Sequence, residues 1–230
     1  MNKTGTLAQI HLHTAETSRC GVATGAEMAR ACREAGYDLL VITDHFFNAN
    51  IGCDSGLPWE DKVEYLFRGY RAARAEGEKI GLTVLKAWET FTAGPEYITL
   101  GLDEAFLLAN PGVDKVSKEE YCARVHAAGG YIIHAHPYRE APYIPKFTPD
   151  YSLVDASEVF NGGNQDRDPQ WDVRARAEAM RRGVPMTAGS DAHRVTEVRR
   201  GGMRFPGKIT CMDELIAALK AGTGEIVETL

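Results

Sequence analysis

The sequence predicts an α/β fold, in which strands alternate with helices along a chain of 230 residues. The run Leu39–Ile42 is apolar throughout, as expected of a parallel strand with both faces covered. Two capping boxes, Thr24 with Glu27 and Ser117 with Glu120, mark the starts of helices. Because the order of strand then helix repeats, we expect parallel strands with helices outside them. They would form a closed or distorted barrel or a doubly wound sheet.

The predicted strands are short runs rich in apolar and β-branched residues. Each is separated from the next by a segment of helical character or by turn-forming residues. In chain order they are 7–13, 39–42, 82–87, 97–102, 131–133, 154–160, 184–188 and the short run 226–227.

The predicted helices are recognised by their caps, their periodicity and the glycines that follow them. Gly36 and Gly183 suit the left-handed residue that closes a helix, and Pro169 suits a first helical turn. In chain order the helices are 24–36, 61–77, 117–129, 168–183 and 212–221.

Composition and charge are those of an ordinary globular enzyme. With 44% apolar and 25% charged residues, residues 1–230 can form one domain, and no change in composition requires a second. The formal net charge of −6 argues against general nucleic-acid binding by a basic surface. Residues 1–9 lack a long apolar stretch, and no run approaches the roughly 18–20 apolar residues of a membrane span. We therefore expect no signal peptide, no membrane association and a cytoplasmic location.

The cysteines do not form a recognisable framework. They are odd in number, widely spaced and without a C-x-x-C pair of the zinc or redox type. We interpret all five as reduced thiols: Cys20, Cys32, Cys53, Cys122 and Cys211.

Six of the seven histidines fall in four short clusters inside or just after the end of a predicted strand. These are His11 and His13, His45, His134 and His136, and His193, and similar positions hold the carboxylates Asp44, Glu89, Glu158 and Asp191. In an α/β barrel the carboxyl ends of the strands meet at one mouth, so these residues are expected to converge. Side chains two apart in a strand share a face, which predicts that His11 points with His13 and that His134 points with His136.

A metal centre explains this convergence better than a set of structural histidines. A single histidine near a strand end is more often a hydrogen-bonded structural residue, and we interpret His126, within a predicted helix, in that way. Several buried imidazoles and carboxylates on one face, however, are costly without a cation. Imidazole and carboxylate ligands without thiolate suit zinc, manganese or iron.

Six segments occur in the order and spacing of a known family: His11-Leu12-His13-Thr14, Ile42-Thr43-Asp44-His45, Trp88-Glu89, His136-Pro137, Glu158-Val159-Phe160-Asn161 and Gly189-Ser190-Asp191-Ala192-His193. At these residues the chain resembles the PHP (polymerase and histidinol phosphatase) family of metal-dependent phosphoesterases. The resemblance implies a single-domain, distorted (β/α)7 TIM-like barrel. It also implies two or three divalent metal ions, commonly zinc, manganese or iron.

The resemblance further implies seven metal ligands: His11, His13, His45, Glu89, His136, Asp191 and His193. By this likeness His11, His13 and Asp191 would surround one metal together with Glu89. Glu89 would bridge to a second metal held by His136. A third metal would be held by His45 and His193.

The chain departs from the family pattern at two positions. Members with a full third site often carry a histidine or aspartate where this chain has Arg19, and the nearby Glu16 is a candidate substitute. A further family histidine falls at Ile98, and Glu96 lies on the same predicted face. The further candidates for binding a metal, or for holding a ligand in place, are Glu16, Asp44, Glu96, His134 and Glu158.

The expected chemistry is attack by a hydroxide that bridges two metals and is held between Glu89 and Asp191. Two cations roughly 3.5–4 Å apart lower the pKa of a bridging water and stabilise the attacking and leaving oxygens of a phosphoryl displacement. Arginines bind phosphate oxygens with two parallel hydrogen bonds. Arg139, which follows a ligand motif, and Arg19 are the preferred candidates, ahead of Arg194, Arg199 and Arg200.

The leading functional hypothesis is hydrolysis of a small phosphomonoester or a nucleotide. The alternative is hydrolysis of a carbon–nitrogen bond, because the same metal centre serves amidohydrolases and the sequence does not reveal the electrophilic atom of the substrate. A catalytically silent metal-binding module is the third hypothesis. It is disfavoured because the ligand set is nearly intact. The oligomeric state is left open.

Overall fold

The structure is a computed structural model, and it describes residues 5–230. Within that range the strands are β1 Thr6–Gln9, β2 Leu39–Ile42, β3 Thr83–Lys86, β4 Trp88–Phe91, β5 Glu96–Leu100, β6 Tyr131–Ala135, β7 Ala156–Asn161, β8 Met186–Gly189, β9 Gly202–Phe205 and β10 Glu225–Val227. The α-helices are α1 Gly25–Ala35, α2 Trp59–Leu66, α3 Arg68–Ile80, α4 Glu104–Ala109, α5 Lys118–Ala127, α6 Gly162–Gln165, α7 Gln170–Arg182 and α8 Met212–Lys220.

Local sequence signals account for most of these boundaries. The Thr24 side chain accepts the Glu27 N–H, and the Glu27 side chain accepts the Thr24 N–H, which completes the predicted capping box of α1. Gly36 closes this helix with φ 95°, a conformation that glycine adopts without steric cost. The helix predicted at 61–77 is instead two helices that meet at Phe67.

The strands form two five-stranded sheets, in the orders β10-β9-β1-β2-β3 and β4-β5-β6-β7-β8. The pairs β1-β2 and β2-β3 are parallel in the first sheet, as are β6-β7 and β7-β8 in the second. In the first sheet, β9 is antiparallel to both β1 and β10. In the second sheet, the pairs β4-β5 and β5-β6 are antiparallel. The fold is therefore mixed α/β.

The predicted α/β class is confirmed, but the predicted distorted (β/α)7 TIM-like barrel is not confirmed, because the strands form two five-stranded sheets that are not closed into a barrel. Only four residues, 92–95, separate β4 from β5. A parallel crossover needs a dozen or more, so these strands can only form an antiparallel hairpin. Two isolated parallel bridges join the sheets, Leu12 with Ala192 and His45 with Glu89. Both bridges lie among the predicted metal ligands.

The two sheets face each other across an apolar core. Ala8 and Val41 from the first sheet pack in one cluster with Ile98, Ile133 and Ala188 from the second. The helices α1 and α3 cover the outer face of the first sheet. At the carboxyl ends of β1, β2, β6 and β8 the interior changes from apolar to ionisable side chains, and this end carries the candidate site. Among the helices of residues 5–230, none is long and apolar enough to cross a membrane.

Candidate metal centre

His11 and His13 follow β1, and their imidazoles turn into the same buried cluster. The two Nε2 atoms lie 3.3 Å apart. Oδ1 of Asp191 lies 3.5 Å from the Nε2 of His11 and 3.2 Å from that of His13. Ligands about 2.1 Å from a tetrahedral zinc are separated by about 3.4 Å, so this spacing fits one cation.

Glu158 fixes the orientation of His11. Its Oε1 lies 2.9 Å from Nδ1 of His11, and its Oε2 accepts hydrogen bonds from the His136 N–H and the Asn161 side-chain amide. Because a carboxylate only accepts, Nδ1 carries the imidazole proton and Nε2 is free to bind a cation. Glu158 therefore positions ligands and has little capacity left to be one.

Glu89 stands at the centre of the cluster, on β4. Its Oε1 lies 3.1 Å from Nε2 of His136 and 3.3 Å from Nε2 of His11. Its Oε2 lies 3.1 Å from Nδ1 of His45 and 3.5 Å from Nε2 of His13. The two oxygens thus face different groups of imidazoles, as a carboxylate that bridges cations must.

His136 reaches the cluster through an unusual backbone conformation. It follows β6 with φ 28°, which turns its imidazole to the inner side, where Nδ1 lies 3.7 Å from Oε2 of Glu96. The candidate ligand Glu96 is therefore within the cluster.

The expectation that His134 points with His136 is wrong. His134 lies on the opposite face of β6, against Tyr97, Phe147 and Tyr151. Strict alternation fails because His136 lies just beyond the strand and has a positive φ. His134 is thus remote from the other candidate ligands.

Asp191 is held by a buried arginine. It follows β8 with φ 52°, and its Oδ2 lies 2.7 Å from Nη1 of Arg139. Arg139 also donates to Asn161 and to Asn164. Burial raises the pKa of Asp191, but the charges of Arg139 and His11 outweigh it and hold that pKa well below its usual range. Arg139, predicted to bind substrate phosphate, instead directs most of its guanidinium to protein groups.

A third group of imidazoles adjoins the first. The ring of His13 stacks between His45, at a centroid distance of 4.2 Å, and His193, at 4.5 Å. Ligand atoms of these three histidines lie within 4.8 Å of one another. Cys20 lines the same cavity as His45 and His193. Burial raises the pKa of this thiol, but the two imidazoles outweigh burial and lower the pKa to about 6.

The candidate ligand Glu16 does not reach this group. Its two carboxylate oxygens accept the Gly25 N–H at 3.1 and 2.9 Å, at the amino end of α1. The unsatisfied N–H groups and positive dipole end of a helix attract a carboxylate. The interpretation of Glu16 as a ligand of the third site is therefore wrong.

The carboxylate of Asp44 is likewise occupied by hydrogen bonds to other groups. It accepts the Thr14 N–H and hydroxyl at 2.7 and 2.6 Å, and the Ser18 hydroxyl at 2.7 Å. The Ser18 oxygen in turn accepts the His45 N–H. Asp44 therefore fixes the loop that carries Ser18, although burial raises the pKa of its carboxyl to about 6.

The charge balance of the cluster favours cations. Four buried carboxylates, Glu89, Glu96, Glu158 and Asp191, surround the one buried guanidinium that residues 5–230 supply, that of Arg139. Burial lowers the pKa of His11, yet Glu158, Asp191 and Glu89 outweigh burial and raise it well above 6.5. Nδ1 of His45 is buried 3.1 Å from Oε2 of Glu89. Bound divalent metal would compensate the negative charge of these carboxylates, so the residues present fit such ions.

A cavity of about 770 Å³ opens onto the cluster. It is lined by Glu89, His136, Asp191 and His193, with Cys20, Phe91 and Tyr143 near them, and by the arginines Arg139, Arg167, Arg194 and Arg200. Arg200 pairs with Asp166, and Arg194 lies 3.5 Å from Glu197. Arg167 has no such partner among residues 5–230. Arg19, a predicted phosphate ligand, is exposed and does not line the cavity.

Sequence reasoning missed four of these residues. Cys20, Ser18 and Arg167 lie in loops or after a short helix, where no periodic pattern indicates direction. Asn164 follows the quoted Glu158–Asn161 segment by three residues. A sequence signal was available for Cys20 alone among these four, because it is adjacent to Arg19, the position where family members often carry a ligand.

Comparisons with known proteins agree with this picture. Residues 170–223 match the model of a family described as PHP-associated. A two-domain protein from Bacteroides vulgatus, described as containing a predicted PHP-like metal-dependent phosphoesterase, has a similar structure (TM-score 0.73, 16% identity); the match covers 98% of this chain and 65% of that one. This chain thus spans about two-thirds of that protein. Among curated proteins, none matches the sequence.

Two further solved structures share the fold. PsfC from Pseudomonas syringae has a TM-score of 0.64 at 19% identity, covering 97% of this chain and 91% of that one. An amidohydrolase from Chromobacterium violaceum, solved with bound sulfate and no metal, has a TM-score of 0.56 at 16% identity, covering 96% and 97%. At these identities the likeness establishes the fold.

Proposed function

We propose that this chain, which has the PHP fold and carries a PHP-associated segment, is a metal-dependent phosphoesterase. That fold and that segment confirm the resemblance predicted from the motifs. The proposed substrate is a small phosphomonoester or a nucleotide. The observation that carries the proposal is the position of Glu89, whose two oxygens face separate groups of imidazoles beside the same cavity.

The residues assigned to the cations follow from these contacts. His11, His13 and Asp191 would hold one ion with Glu89, and His136 would hold a second with Glu89 and Glu96. His45 and His193 would hold a third. When bound, zinc, manganese or iron ions activate water as a nucleophile and neutralise the charge that develops on phosphate oxygens.

The protein groups around the ions orient them and the substrate. Glu158 leaves Nε2 of His11 directed inward, and Arg139 leaves Oδ1 of Asp191 facing His11 and His13. Arg167 and Arg194 line the outer part of the cavity, where a guanidinium can bind phosphate oxygens in a bidentate way. We assign substrate phosphate to these two arginines in preference to Arg19.

The size of the cavity suits a small substrate. Its volume of about 770 Å³ lies within the range of roughly 300–1,000 Å³ typical of small-molecule pockets.

The state of the cysteines bears on the location of the protein. All five are unpaired, which suits the reducing cytoplasm, and we propose that location.

Hydrolysis of a carbon–nitrogen bond is the second candidate. One structural neighbour is an amidohydrolase, and metal-activated water attacks a carbonyl carbon as readily as a phosphorus.

The test is an assay of metal-reconstituted protein against phosphomonoesters, nucleotides and amides. We expect turnover of phosphomonoesters that is abolished in His11→Ala and Asp191→Ala. Arg167→Ala should raise KM, whereas Arg19→Ala, which removes an exposed arginine outside the cavity, should change neither constant. Cleavage of amides alone would replace the proposal with the second candidate, and inactivity on the whole panel would leave a metal-binding module.

A further inference from the structure

Asp172 is a buried carboxylate that lies outside both the candidate ligands and the cavity lining. It stands in the first turn of α7 and is 6% exposed. Its Oδ1 accepts a hydrogen bond from the Asn164 side-chain amide at 2.7 Å. Its Oδ2 accepts from the Asn161 N–H at 3.1 Å and from the Gln165 side-chain amide at 2.6 Å. Burying a carboxylate is costly unless such contacts offset the loss of hydration, so these contacts define what the side chain does in the fold.

The side chain of Asn164 connects Asp172 to Arg139. Its Oδ1 accepts a hydrogen bond from Nε of Arg139 at 2.8 Å, while its Nδ2 donates to Asp172. A guanidinium only donates and a carboxylate only accepts, so one orientation of the amide between them satisfies both. In the opposite orientation the amide would present its NH2 group to the guanidinium and its oxygen to the carboxylate. The carboxylate of Asp172 therefore determines which atom Asn164 offers to Arg139.

Asn161 joins the same carboxylate to a second contact of the guanidinium. Its Oδ1 accepts a hydrogen bond from Nη2 of Arg139 at 2.7 Å, and its Nδ2 donates to Oε2 of Glu158 at 2.8 Å. Glu158 orients a ligand imidazole, and Arg139 holds Asp191. The supports of two candidate ligands thus meet at Asn161, and Asp172 binds the backbone N–H of that residue.

These hydrogen bonds form a short network that is closed to solvent. Its members are buried: Arg139, Asn161, Asn164, Asp172 and Asp191. In a buried network the hydrogen bonds strengthen one another, and a member that loses its partner is costly to leave unpaired. A change at the α7 end is therefore expected to move the groups at the other end, where Arg139 contacts Asp191 at 2.7 Å.

We propose that Asp172 is a positioning residue for the metal centre, which acts through two asparagine side chains on Arg139. The inference rests on the proposed metal centre and extends it to α7, within the segment that matches the PHP-associated family. Asp172 itself would contact neither cation nor substrate. Without its carboxylate the Asn164 amide is free to turn, Arg139 loses a fixed acceptor, and Oδ1 of Asp191 is no longer held toward the imidazoles.

The first experiment compares Asp172→Asn with Asp213→Asn. Asparagine matches aspartate in size, but its NH2 group must face either the Asn164 amide or the Asn161 N–H, and both of these are donors. The control removes an exposed acid from the first turn of α8, so both variants lose the same kind of attraction to a helix dipole.

Competition with a chelator, on protein freed of metal and titrated with zinc, measures the effect. We expect Asp172→Asn to weaken the binding of one zinc equivalent by about 10-fold and Asp213→Asn to leave zinc binding unchanged. Urea denaturation of the same samples gives the free energy of unfolding. If Asp172→Asn lowers the free energy of unfolding but binds zinc as tightly as the wild type, the role of Asp172 is structural and the proposal is overturned.

The second experiment exchanges the two ends of one hydrogen bond in the double variant Asn164→Asp, Asp172→Asn. The carboxylate at position 164 can accept from Nε of Arg139, and the amide at position 172 can donate to it while still accepting the Asn161 N–H. We expect the double variant to regain the approximately 10-fold zinc affinity that Asp172→Asn loses. A double variant that binds zinc no better than Asp172→Asn contradicts the proposal.

The exchange also keeps the proposal testable if Asp172→Asn alone is too unstable to measure. The double variant is then compared with Asn164→Asp, in which two carboxylates face each other across the former hydrogen bond. The double variant should bind zinc more tightly than this single variant, and equal or weaker binding would overturn the proposal.

Kinetics separate this proposal from the proposed function. On a phosphomonoester that the wild type hydrolyses, Asp172→Asn should lower kcat by about 10-fold with little change in KM, because Asp172 does not line the cavity. A rise in KM alone would contradict a role at the metal centre. Zinc affinity is measured without turnover, so a wild type that binds zinc but hydrolyses no phosphoester would disprove the proposed function, while the zinc affinities would still decide the role of Asp172.

Discussion

Nη1 of Arg139 lies 2.7 Å from Oδ2 of Asp191, and both side chains are buried at the base of the cavity. The same guanidinium donates to Asn161 at 2.7 Å and to Asn164 at 2.8 Å. Asp191 is therefore restrained on one oxygen while the other faces His11 and His13. Removing one partner of a buried ion pair leaves the other charge uncompensated, which typically costs about 3–5 kcal/mol.

Arg139→Lys should lower metal affinity and kcat more than it raises KM. Lysine keeps the charge but cannot bond Asp191 and both asparagines at once, so Asp191 loses its fixed orientation. Loss of such a supporting contact typically weakens metal binding by about 10–100-fold. Metal titration and steady-state kinetics measure the two effects. A pure rise in KM with unchanged metal affinity would return Arg139 to the role of a substrate ligand.

Glu158→Gln should weaken the first metal position without unfolding the protein. Glutamine is similar in size and can still accept from the His136 N–H, but it removes the negative charge beside Nδ1 of His11. We expect a fall in metal affinity of about 10-fold or more, because the imidazole becomes less basic and less well oriented. Competition with a chelator measures this change, and the control is Glu178→Gln, which removes a half-buried carboxylate that pairs with Arg181 and Arg182 on α7. Equal affinities in both variants would contradict the assignment.

The elements predicted well are those set by local pattern. Leu39–Ile42 forms the interior strand β2, and the Thr24 capping box opens α1 where expected, because both signals depend on residues within one turn or strand. The strand-end histidines converge, with the exception of His134, because alternation and strand direction are also local properties. His136 does not share the face of His134, because His136 has a positive φ that no sequence pattern specified.

What could not be predicted depends on contacts between distant segments. The position of Cys20 on the cavity lining depends on the loop that Asp44 fixes through Thr14 and Ser18. The hairpin of β4 and β5 was missed, because no strand was predicted at 88–91. The pairing of β9 against β1 was not foreseeable, because nearly 200 residues separate the two strands.

Glu16→Ala should leave metal content unchanged and lower the free energy of unfolding. The carboxylate caps the amino end of α1, and such an interaction contributes about 0.5–1 kcal/mol. Elemental analysis and urea denaturation test the two parts, with Glu34→Ala, an exposed carboxylate in the last turn of α1, as the control. Loss of one metal equivalent in Glu16→Ala would restore this residue as a ligand.

His134→Phe should remove part of the acid sensitivity of the fold. Burial against Tyr97 and Phe147 lowers the pKa of His134 to about 3, whereas an unfolded histidine titrates near 6.5. Between these values the unfolded chain binds a proton that the folded chain does not. The free energy of unfolding therefore falls as pH decreases through this range, by up to about 1.4 kcal/mol per pH unit for this residue.

The measurement is urea denaturation of chelator-treated protein at pH 7, 6, 5 and 4, with His134→Phe compared with the wild type. The other titratable groups contribute equally to the pH dependence of both proteins, so their contributions cancel when the two free energies of unfolding are subtracted. The free energy of unfolding of His134→Phe relative to wild type should therefore increase steadily as pH falls below about 6. If His134→Phe instead runs parallel to the wild type, then His134 gains a proton in the folded state as easily as in the unfolded state. Its surroundings would then have to admit water or a counter-charge that Tyr97, Phe147 and Tyr151 do not provide.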